Sequence, residues 1–535
     1  MHRSRAVAAL AVLTAALVTG GWFLQRGFAS DVAPGGSSAL FDHVFERVAR
    51  SYVDSIPAKS LYLKAAAGLV DRLGDPYSAF LPPDQLSSLN ETTSGSYVGL
   101  GVQVDLRDGW LTIMAPVPGS PAERAGIQAG DRVVSVDGQS TSGWNLEQAS
   151  RALRGRPGTT VTLEIARPGV AERLPFHIVR QDIHVASVRH PMMLTDRVGY
   201  VALTIFSDSA ADELRNAIGA LRRRGMQTLV LDLRGNPGGL LEQGVGVSEM
   251  FLARGQVIVD MRGRTPSATH DIRNSTSQLW PDLSVIVLVD GHTASAAEIV
   301  AGALQDHDRA VIVGAPTYGK GVAQSVFPLG DGAAALKLTT ARWFTPSGRS
   351  IQKLHEDTTS DTGDSAVAHP DTTHAVYHTD DGRAMYGGGG IAPDVLVRAD
   401  TADSVLAFQE ELGADIQKFR DALTETALAV KSAHHVASPE FTVTAAMRDA
   451  LWRRLQAKHV ALTGAQFAAA APQVDRLLGG EIARFAFGAD AAFRRSVARD
   501  TVIATALDLA SHARSEHDLL MEAARTTTHV APSPP

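Results

Sequence analysis

The residues best suited to chemistry begin with Thr293-Ala-Ser-Ala-Ala-Glu298, which follows an apolar strand ending at Val289 and opens a helix. Ser295 is therefore expected near a helix N-terminus, where unpaired backbone N–H groups and the helix dipole favour negative charge. A serine nucleophile placed there would have the N–H of Ala296 available to hold an oxyanion. The pattern Ser295-x-x-Glu298 is also that of a capping box, and taken alone it more often caps a helix.

A lysine suited to act as the base lies in Thr317-Tyr-Gly-Lys-Gly-Val-Ala-Gln324, after a strand that ends at Gly314. A serine hydroxyl is a weak nucleophile without a base. A lysine is a base only when neutral, and burial favours the neutral form by lowering the lysine pKa. The glycines on either side of Lys320 permit close backbone approach, and Gln324 is placed to orient the amine. A surface lysine in a tight turn would have the same sequence.

A third segment, Asp232-Leu-Arg-Gly-Asn-Pro-Gly-Gly239, closes another apolar strand with paired glycines. Such glycines expose backbone N–H groups as a nest suited to an anion, so Gly239 is a candidate second oxyanion donor. A plain glycine-rich turn is the alternative. All three segments follow candidate parallel strands, and open α/β sheets place active sites at the carboxyl ends of such strands. Their shared placement therefore carries more weight than any one motif.

The elements that must position these segments change in kind along the chain. A helical pattern over residues 40–90 is broken at Asp75-Pro76 and Pro82-Pro83, and short strands and turns follow to about residue 182. From about residue 185 to 400, apolar strands alternate with helices, which predicts a largely parallel sheet covered on at least one face. Residues 355–390 are polar and aperiodic and are predicted to form a long loop. Helical periodicity returns from about residue 401.

Composition excludes several classes of function. The chain has 535 residues, which suggests three or four domains. Its formal net charge of -7 argues against nucleic acid, because phosphate binding favours a basic face. It has no cysteine, so thiol catalysis, thiolate metal sites and a lipidated cysteine anchor are excluded. No His-Glu-x-x-His zinc motif occurs, and neither a metal nor another cofactor is predicted.

The N-terminus predicts export. Arg3 and Arg5 precede an uncharged, mostly apolar run over residues 6–24, and a helix of that length spans about 28 Å, close to a bilayer core. Residues 1–30 are therefore a retained membrane anchor or a cleaved signal peptide with Gly27-Phe28-Ala29 as its cleavage site. Both alternatives place the rest of the chain outside the cytoplasm.

Together the motifs resemble those of the carboxy-terminal processing peptidases, or tail-specific proteases, over about residues 40–400. The resemblance implies that Ser295 is the nucleophile, Lys320 its base and Gln324 an assistant to that lysine, with Gly239 and Ala296 forming the oxyanion hole. Besides the three segments above, it is carried by Gly74-Asp-Pro-Tyr-Ser78, Val98-Gly-Leu-Gly-Val102, Thr345-Pro-Ser-Gly-Arg-Ser350 and Gly389-Gly-Ile-Ala-Pro-Asp394.

The resemblance also implies a multidomain α/β fold. Its peptidase core has a largely parallel, ClpP/crotonase-like sheet, with an inserted PDZ β-domain and helical N- and C-terminal regions. The expected boundaries are 1–30 for the signal or anchor, 31–93 for a linker and N-terminal helices, 94–184 for the PDZ domain, 185–400 for the core and 401–535 for a helical extension with a disordered tail. The extension lies outside the resemblance, and oligomerisation, adaptor binding and packing stay open as its role.

The PDZ segment predicts a second binding site. Val98, Gly99, Leu100, Gly101 and Val102 resemble the carboxylate-binding loop, and Pro121-Ala-Glu-Arg-Ala-Gly126 and Ala129-Gly-Asp-Arg-Val-Val-Ser-Val-Asp-Gly138 resemble the PDZ signature. In PDZ domains the loop N–H groups hold a peptide C-terminus while the peptide adds a strand to the sheet edge. A generic small β fold is the alternative.

The resulting hypothesis is a serine endopeptidase that cleaves proteins at or near their C-termini through a Ser–Lys dyad. Its expected partners are proteins or peptides with free C-termini, in a Gram-negative periplasm, and residues 6–24 would anchor it in the inner membrane where they are not cleaved as a signal peptide. An adaptor protein and a homo-oligomer stay open. A non-catalytic PDZ scaffold and an adaptor-dependent protease that is inactive alone are the alternatives. A P-loop NTPase is disfavoured because Gly321 follows Gly314-x-x-x-x-Gly-Lys320 where a Mg²⁺-binding Ser or Thr is required.

Overall fold

The computed structural model describes residues 34–330, 332–353, 375–397, 408 and 410–528, which divide into two compact units. The predicted anchor or signal peptide, most of the predicted long loop and the C-terminal tail lie outside the described residues. The first unit comprises the chain up to Asp84 together with Val326–Leu338, and the second comprises Gln85–Ser325 and the chain from Thr339. No helix within the described ranges is both long and apolar enough to cross a membrane.

The first unit contains two helices and a short strand. The rings of Phe45 and Tyr62 stack with their centroids 4.0 Å apart and join the two helices. The helical pattern is interrupted between Asp71 and Pro83, as predicted from Asp75-Pro76 and Pro82-Pro83. Pro83 begins the next helix, because proline is accepted at the first helical position. The elements are α1 Pro34–Ser51, α2 Ala58–Asp71, β1 Ala79–Leu81, which pairs with residues 335–337 of β18, and the start of α3 Pro83–Ser94.

A small antiparallel β-domain follows α3 in the second unit. Its two-stranded part pairs β2 with β9, and its larger sheet has the order β3-β4-β5-β7-β8 with β6 beside β5. The strands enclose a core that includes Leu111, Ile113 and Leu163, all buried. The elements are β2 Ser96–Gly99, β3 Val102–Arg107, β4 Trp110–Pro116, α4 Pro121–Arg124, β5 Arg132–Val136, β6 Gln139–Ser140, α5 Leu146–Leu153, β7 Thr160–Ala166, β8 Leu174–Val179 and β9 Gln181–His184.

A six-stranded sheet of order β10-β11-β12-β15-β16-β21 forms the centre of the α/β part. All its neighbours are parallel except β10 and β11, which confirms the predicted largely parallel sheet. Along each strand the side chains alternate between two faces. The elements are β10 Val188–Met193, β11 Val198–Leu203, α6 Ala210–Arg223, β12 Thr228–Asp232, α7 Leu241–Phe251, β15 Ser284–Val289, α8 Ala296–Asp306, β16 Val311–Gly314 and β21 Val395–Leu396.

Both faces of this sheet are covered. Leu229 and Leu231 belong to a buried cluster shared with α6, α7 and α8. Val230 lies on the opposite face, in a cluster that includes Ile503 and Leu509 from the C-terminal helices. These helices are α14 Thr501–His512 and α15 Glu516–Thr528.

A second group of strands lies beside the parallel sheet. β13 pairs with β14 and, at residues 260–263, with residues 341–344 of β18. Residues 376–386 form a hairpin of β19 and β20, so the prediction of an unbroken loop over residues 355–390 was wrong there. The strands are β13 Val257–Gly263, β14 His270–Arg273, β17 Val322–Leu329, β18 Ala334–Phe344, β19 Val376–His378 and β20 Ala384–Tyr386.

The C-terminal helices before α14 pack as a separate cluster against the β-domain. Phe419, Leu451 and Leu478 lie in their common core, and Met114 and Ala129 of the β-domain pack against it. The extension therefore has a packing role within the chain. The helices are α9 Ile416–Ser432, α10 Ala445–Ala457, α11 Gly464–Ala469, α12 Ala471–Phe487 and α13 Ala489–Val497.

Candidate active site

Ser295 occupies a strained turn between β15 and α8. Its backbone dihedrals are φ 56° and ψ -119°, in a region that residues other than glycine rarely adopt and that often marks an active site. The turn is held because the Ser295 carbonyl accepts hydrogen bonds from the N–H groups of Glu298 (2.8 Å) and Ile299 (3.0 Å). Ser295 is partly exposed, whereas Ala294 and Ala296 are buried. The turn thus leaves the serine accessible within a buried segment.

Thr293 connects the ends of three neighbouring strands to this turn. Its Oγ1 donates to the carbonyl of Leu233, just after β12, at 2.8 Å, and accepts the N–H of Asp290, just after β15, at 3.0 Å. Its carbonyl accepts the N–H of Tyr318, in the segment after β16, at 3.0 Å. Since Thr293 is buried, these bonds fix the three predicted site segments at one edge of the sheet.

The segment that carries Lys320 is held along its backbone. Gly314 has φ 132°, and a Cβ there would overlap the carbonyl oxygen of Val289, so only glycine lets the chain leave β16 at this point. The carbonyl of Lys320 accepts the indole N–H of Trp343 at 3.0 Å, and the N–H of Trp343 donates to Gly321 at 3.0 Å. Trp343 is buried and Lys320 is partly buried.

Glu298 joins the serine segment to the lysine segment. Its Oε2 accepts the N–H groups of Ser295 (2.8 Å) and Lys320 (2.9 Å). Its Oε1 accepts the hydroxyl of Thr317 (2.5 Å) and the N–H of Gly319 (2.7 Å). Burial raises the pKa of the Glu298 carboxyl, and these hydrogen bonds oppose the shift by favouring the ionised form. A fully buried carboxylate is therefore the common anchor of both segments.

The glycine-rich loop approaches Ser295 closely. A Cβ on Gly238 would lie 2.8 Å from the Cβ of Ser295, and one on Gly239, where φ is 146°, would overlap the carbonyl of Phe206. Both positions therefore require glycine. Within the described ranges, the N–H groups of Gly239 and Ala296 donate to no protein acceptor. Both candidate oxyanion donors are thus available beside the serine.

Asn236 holds the glycine-rich loop in place through hydrogen bonds. Its Nδ2 donates to the carbonyl of Leu203 at 2.7 Å, and its Oδ1 accepts the N–H of Gly238 at 2.8 Å. Its own carbonyl accepts the N–H of Ala294 at 2.9 Å. Through its buried side-chain amide and its main-chain carbonyl, Asn236 therefore holds the loop in register with the serine turn.

The C-terminal extension also reaches the loop. The guanidinium of Arg234 donates three hydrogen bonds to the Asp232 carboxylate. It also forms an ion pair, 2.9 Å long, with Asp500, the residue that caps α14. Tyr200 donates its hydroxyl to Asp232 at 2.7 Å, and burial followed by the charge of Asp232 raises the tyrosine pKa. The extension therefore anchors the residue that precedes the glycine-rich loop.

Gln324 lies on β17, four residues beyond Lys320. Its Nε2 makes a long hydrogen bond of 3.4 Å to the Oγ1 of Thr339 on β18. A polar partner on the adjacent strand gives the amide a defined position, but the bond is directed to a threonine. Its predicted role in orienting Lys320 stays a prediction.

The predicted tail-binding loop forms a separate site in the β-domain. Gly101 has φ 77°, and a Cβ there would overlap Ser120, whose hydroxyl donates to the Gly101 carbonyl at 3.0 Å. The N–H of Ala122 donates to the carbonyl of Leu100 at 3.0 Å. The carbonyls are thus engaged, whereas the N–H groups of Leu100 and Gly101 have no acceptor in the described part of the chain. Val98 and Gly99 pair with β9, and Val102 begins β3.

The structure thus brings together the segments of Ser295, Lys320, Gly239 and Ala296, and places Gln324 on the strand that follows. The roles of Glu298, Asn236 and Asp500 were missed in the sequence. Glu298 had a signal in its capping-box spacing, which accounted for only one of its four bonds. Over the described ranges, no group of three or more His, Cys, Asp or Glu is placed to hold a metal ion.

Comparisons with known proteins agree with this architecture. The profile of Peptidase family S41 matches residues 197–362, and that of the PDZ domain matches residues 112–167. The carboxy-terminal-processing protease of Bartonella bacilliformis is 38% identical over 320 residues, which cover 59% of this chain and 73% of that protein. The carboxy-terminal processing protease CtpA of Bacillus subtilis is 37% identical over 309 residues, or 58% of this chain and 65% of that one.

Among solved structures, a photosystem II D1 C-terminal processing protease matches with 28% identity and a TM-score of 0.36. The match covers 68% of this chain and 93% of that chain. The profile matches and the curated relatives agree with the order of the segments along the chain. The chain therefore belongs to the carboxy-terminal-processing protease family, with a serine-type peptidase core and a PDZ domain.

Proposed function

We propose that the protein is an endopeptidase that cleaves proteins near their C-termini through acyl transfer, with Ser295 as nucleophile and Lys320 as base. The observation that carries this proposal is the shared anchor: the Glu298 carboxylate accepts the N–H groups of both residues. A buried bridge of this kind keeps a nucleophile segment and a base segment in register, which covalent catalysis requires.

In the proposed mechanism, the Ser295 hydroxyl passes its proton to the Lys320 amine as its oxygen attacks the peptide carbonyl carbon. The N–H groups of Gly239 and Ala296 stabilise the oxyanion. Lys320 then gives the proton to the departing amine, and the C–N bond breaks to leave an acyl-enzyme. Water, activated by the neutral Lys320, adds to the ester and releases the new carboxylate. Gln324 is proposed to orient the Lys320 amine.

The β-domain is proposed to capture the substrate's C-terminus. Within the loop at residues 98–102, the carboxylate would accept the N–H groups of Leu100 and Gly101, and the tail would add as a strand to the edge of β3. We further propose that the chain is exported to the periplasm. Residues 6–24, the candidate membrane anchor, lie outside the described residues.

The test compares cleavage of an unfolded protein by the purified parent, Ser295→Ala and Lys320→Ala. Each variant should lose about 10⁴-fold or more in kcat, because triad and dyad residues act as a unit. Ser511→Ala and Lys418→Ala, which remove an exposed serine and an exposed lysine elsewhere, should retain the parent's rate. A neutral lysine base also predicts activity that rises toward alkaline pH.

Full activity of Ser295→Ala would show that the proposed nucleophile is wrong. A flat pH profile between pH 6 and 9 would count against Lys320 as the base. If the parent cleaves nothing yet binds peptide tails, the non-catalytic scaffold becomes the better account, unless an added adaptor protein restores cleavage.

A further inference from the structure

A polar cleft opens at the edge of the parallel sheet opposite to the candidate active site. The candidate catalytic segments follow the carboxyl ends of β12, β15 and β16, whereas the cleft lies where β12 and β15 begin, at Thr228 and Ser284. Its volume is about 410 Å³, within the range of about 300–1,000 Å³ that is typical of small-molecule sites. The cleft therefore has the size of a ligand site and lies apart from the proposed peptidase chemistry.

Two buried residues with side-chain hydroxyls line the inner end of the cleft. Thr228 and Ser284 are register partners on β12 and β15, so their side chains point to the same face of the sheet as Val230, the face that the C-terminal helices cover. They are only 5% and 6% exposed. Neither hydroxyl has a hydrogen-bond partner among the residues that the structure describes. Because a buried hydroxyl without a partner is costly, both favour a polar ligand in the cleft.

Three arginines line the cleft from three other segments. Arg197 precedes β11, Arg222 lies in the last turn of α6, and Arg514 lies between α14 and α15. Arg197 and Arg514 are exposed, and neither guanidinium has a carboxylate partner within the described ranges. Arg197 donates its Nε to the Oε1 of Gln227 at 2.7 Å, which leaves its Nη donors available. The cleft therefore offers charged donors that the chain itself does not neutralise.

Asp282 is the acidic residue that lines the cleft in the described part of the chain. Its carboxylate pairs with Arg222 at 2.6 Å, and its side chain is 69% exposed. The hydrogen bond from Arg222 lowers the pKa of Asp282, so the carboxylate is ionised and paired. Three guanidinium groups against one carboxylate leave the cleft positive, in a chain whose formal net charge is -7. A cleft of this sign attracts an anion.

The C-terminal extension is fixed to the sheet next to the cleft. The Oε2 of Glu516 accepts the N–H of Val285, the second residue of β15, at 3.0 Å and the Nη1 of Arg309 at 2.8 Å. These bonds hold the start of α15, and with it Arg514, beside the beginning of β15. Because Arg514 lies outside both matched profiles, the cleft is built by the core and the extension together.

We propose that this cleft binds the phosphoryl group of a small anion, held by the three arginines and by the hydroxyls of Thr228 and Ser284. Donors that converge from two strand starts, a helix end and a loop fit a tetrahedral oxyanion better than a planar carboxylate, which accepts with two oxygens in one plane. Inorganic phosphate and a small phosphate ester share this chemistry. Since the donors belong to both the core and the extension, the bound anion holds the extension against the sheet and stabilises the folded chain.

The experiment measures Kd by calorimetry on the full chain, with inorganic phosphate, glycerol 3-phosphate and acetate as probes at constant pH and ionic strength. Both phosphates should bind saturably, and acetate should bind at least about tenfold more weakly because it lacks the additional oxygens. Tighter binding of glycerol 3-phosphate would identify an ester as the source of the phosphoryl group, and equal binding would identify free phosphate. At about 100 times its Kd, phosphate should raise Tm by about 3 °C more than potassium chloride of equal ionic strength.

Matched variants separate the cleft from general surface charge. Thr228→Val keeps the shape but removes the hydroxyl and should weaken phosphate binding about tenfold, whereas Thr228→Ser keeps the hydroxyl and should bind as the parent does. Arg514→Gln should also weaken binding about tenfold or more, whereas Arg453→Gln, which removes an exposed arginine on α10, should leave Kd unchanged. Since the cleft and the candidate active site lie at opposite edges of the sheet, Arg514→Gln should retain the parent's kcat on a peptide substrate.

Three results would overturn the inference. The first is the absence of saturable phosphate binding up to about 10 mM, and the second is equal affinity for acetate and phosphate. The third is the same Kd for phosphate in the parent, Thr228→Val and Arg514→Gln, since binding would then occur elsewhere on the surface. The Ser–Lys chemistry is measured separately, by cleavage of an unfolded protein, and none of these results would affect it.

Discussion

Glu298 offers the sharpest test of how the site is built, through the change Glu298→Gln. The carboxylate accepts four hydrogen bonds, two at each oxygen. Glutamine keeps one oxygen but places an amide NH₂ where the other oxygen accepted hydrogen bonds. Among the donors that face Glu298, only the Thr317 hydroxyl can rotate to accept a hydrogen bond from that NH₂. The variant therefore loses about two charge-assisted bonds and brings donors into contact with donors.

The expected magnitude follows from those bonds. Hydrogen bonds to a charged group contribute about 1.5–3 kcal/mol each, so losing two costs about 3–6 kcal/mol in the free energy of unfolding. This is a large part of the stability of a typical domain, about 5–15 kcal/mol. A displacement of about 1 Å between Ser295 and Lys320 costs about 100-fold in rate. We expect kcat to fall by about that factor while KM changes little, because Glu298 is buried and cannot contact substrate.

The assay measures kcat and KM on an internally quenched peptide at a temperature where circular dichroism shows the variant folded. Glu249→Gln is the matched control, since Glu249 accepts two hydrogen bonds from Ser275 at an exposed site. Thr317→Val removes one bond to Glu298 and should give a smaller loss, about tenfold. If folded Glu298→Gln had the same kcat as the parent, or if only its KM changed, the claim that Glu298 positions the proposed catalytic segments would be refuted.

Two further predictions concern the loop and the extension. Gly239→Ala should lower kcat by about 10²–10³-fold, because its Cβ would overlap Phe206 and displace the proposed oxyanion donor. Gly255→Ala is the control, since Gly255 has φ 89° but open space around a Cβ, and equal losses in both variants would contradict the reasoning. Burial raises the pKa of Glu516 to about 8 against the opposing effect of Arg309, so the folded chain holds a proton that the unfolded chain releases near pH 4.5. Stability should therefore fall as pH rises from about 4.5 to 8, by up to about 5 kcal/mol, and Glu516→Gln should lack this component in denaturant midpoints at pH 5 and 8. The same pH dependence in both proteins would contradict it.

The central sheet could be predicted because its strands are buried on both faces. Residues 229–233 and 285–289 are almost continuously apolar, whereas a strand with one solvent-exposed face would alternate apolar and polar residues. What covers the second face could not be predicted. The apolar positions of α14, such as Ile503 and Leu509, identify a helix with a buried side, but periodicity does not say which surface it meets. The surface that α14 meets lies far earlier in the chain and includes Val230.

The motifs predicted which segments form the candidate site, but not which residues hold those segments together. Ser295 and Lys320 were identified as candidates from local segments. Each segment was also consistent with a purely structural role, a helix cap for Ser295 and a tight surface turn for Lys320. Glu298 also had a local explanation, as a capping residue, and that explanation was correct for one bond to Ser295. Its other partners lie 19 to 22 residues farther along and are mostly backbone N–H groups, which carry no side-chain signature. Long-range bonds to the backbone are therefore the part of a site that sequence patterns show least.

The C-terminal extension decides how far the family's properties transfer to this chain. It lies outside both family profiles, yet Gln417 on α9 donates a hydrogen bond to the Leu106 carbonyl of the β-domain, and Asp500 on the N-cap of α14 forms an ion pair with Arg234 at the start of the glycine-rich loop. Catalytic chemistry depends on segments inside the matched region and should follow the family. The β-domain and the glycine-rich loop also make contacts with residues outside that region. Differences between this protein and its relatives are therefore expected in the stability of the β-domain and of the glycine-rich loop before they are expected in mechanism.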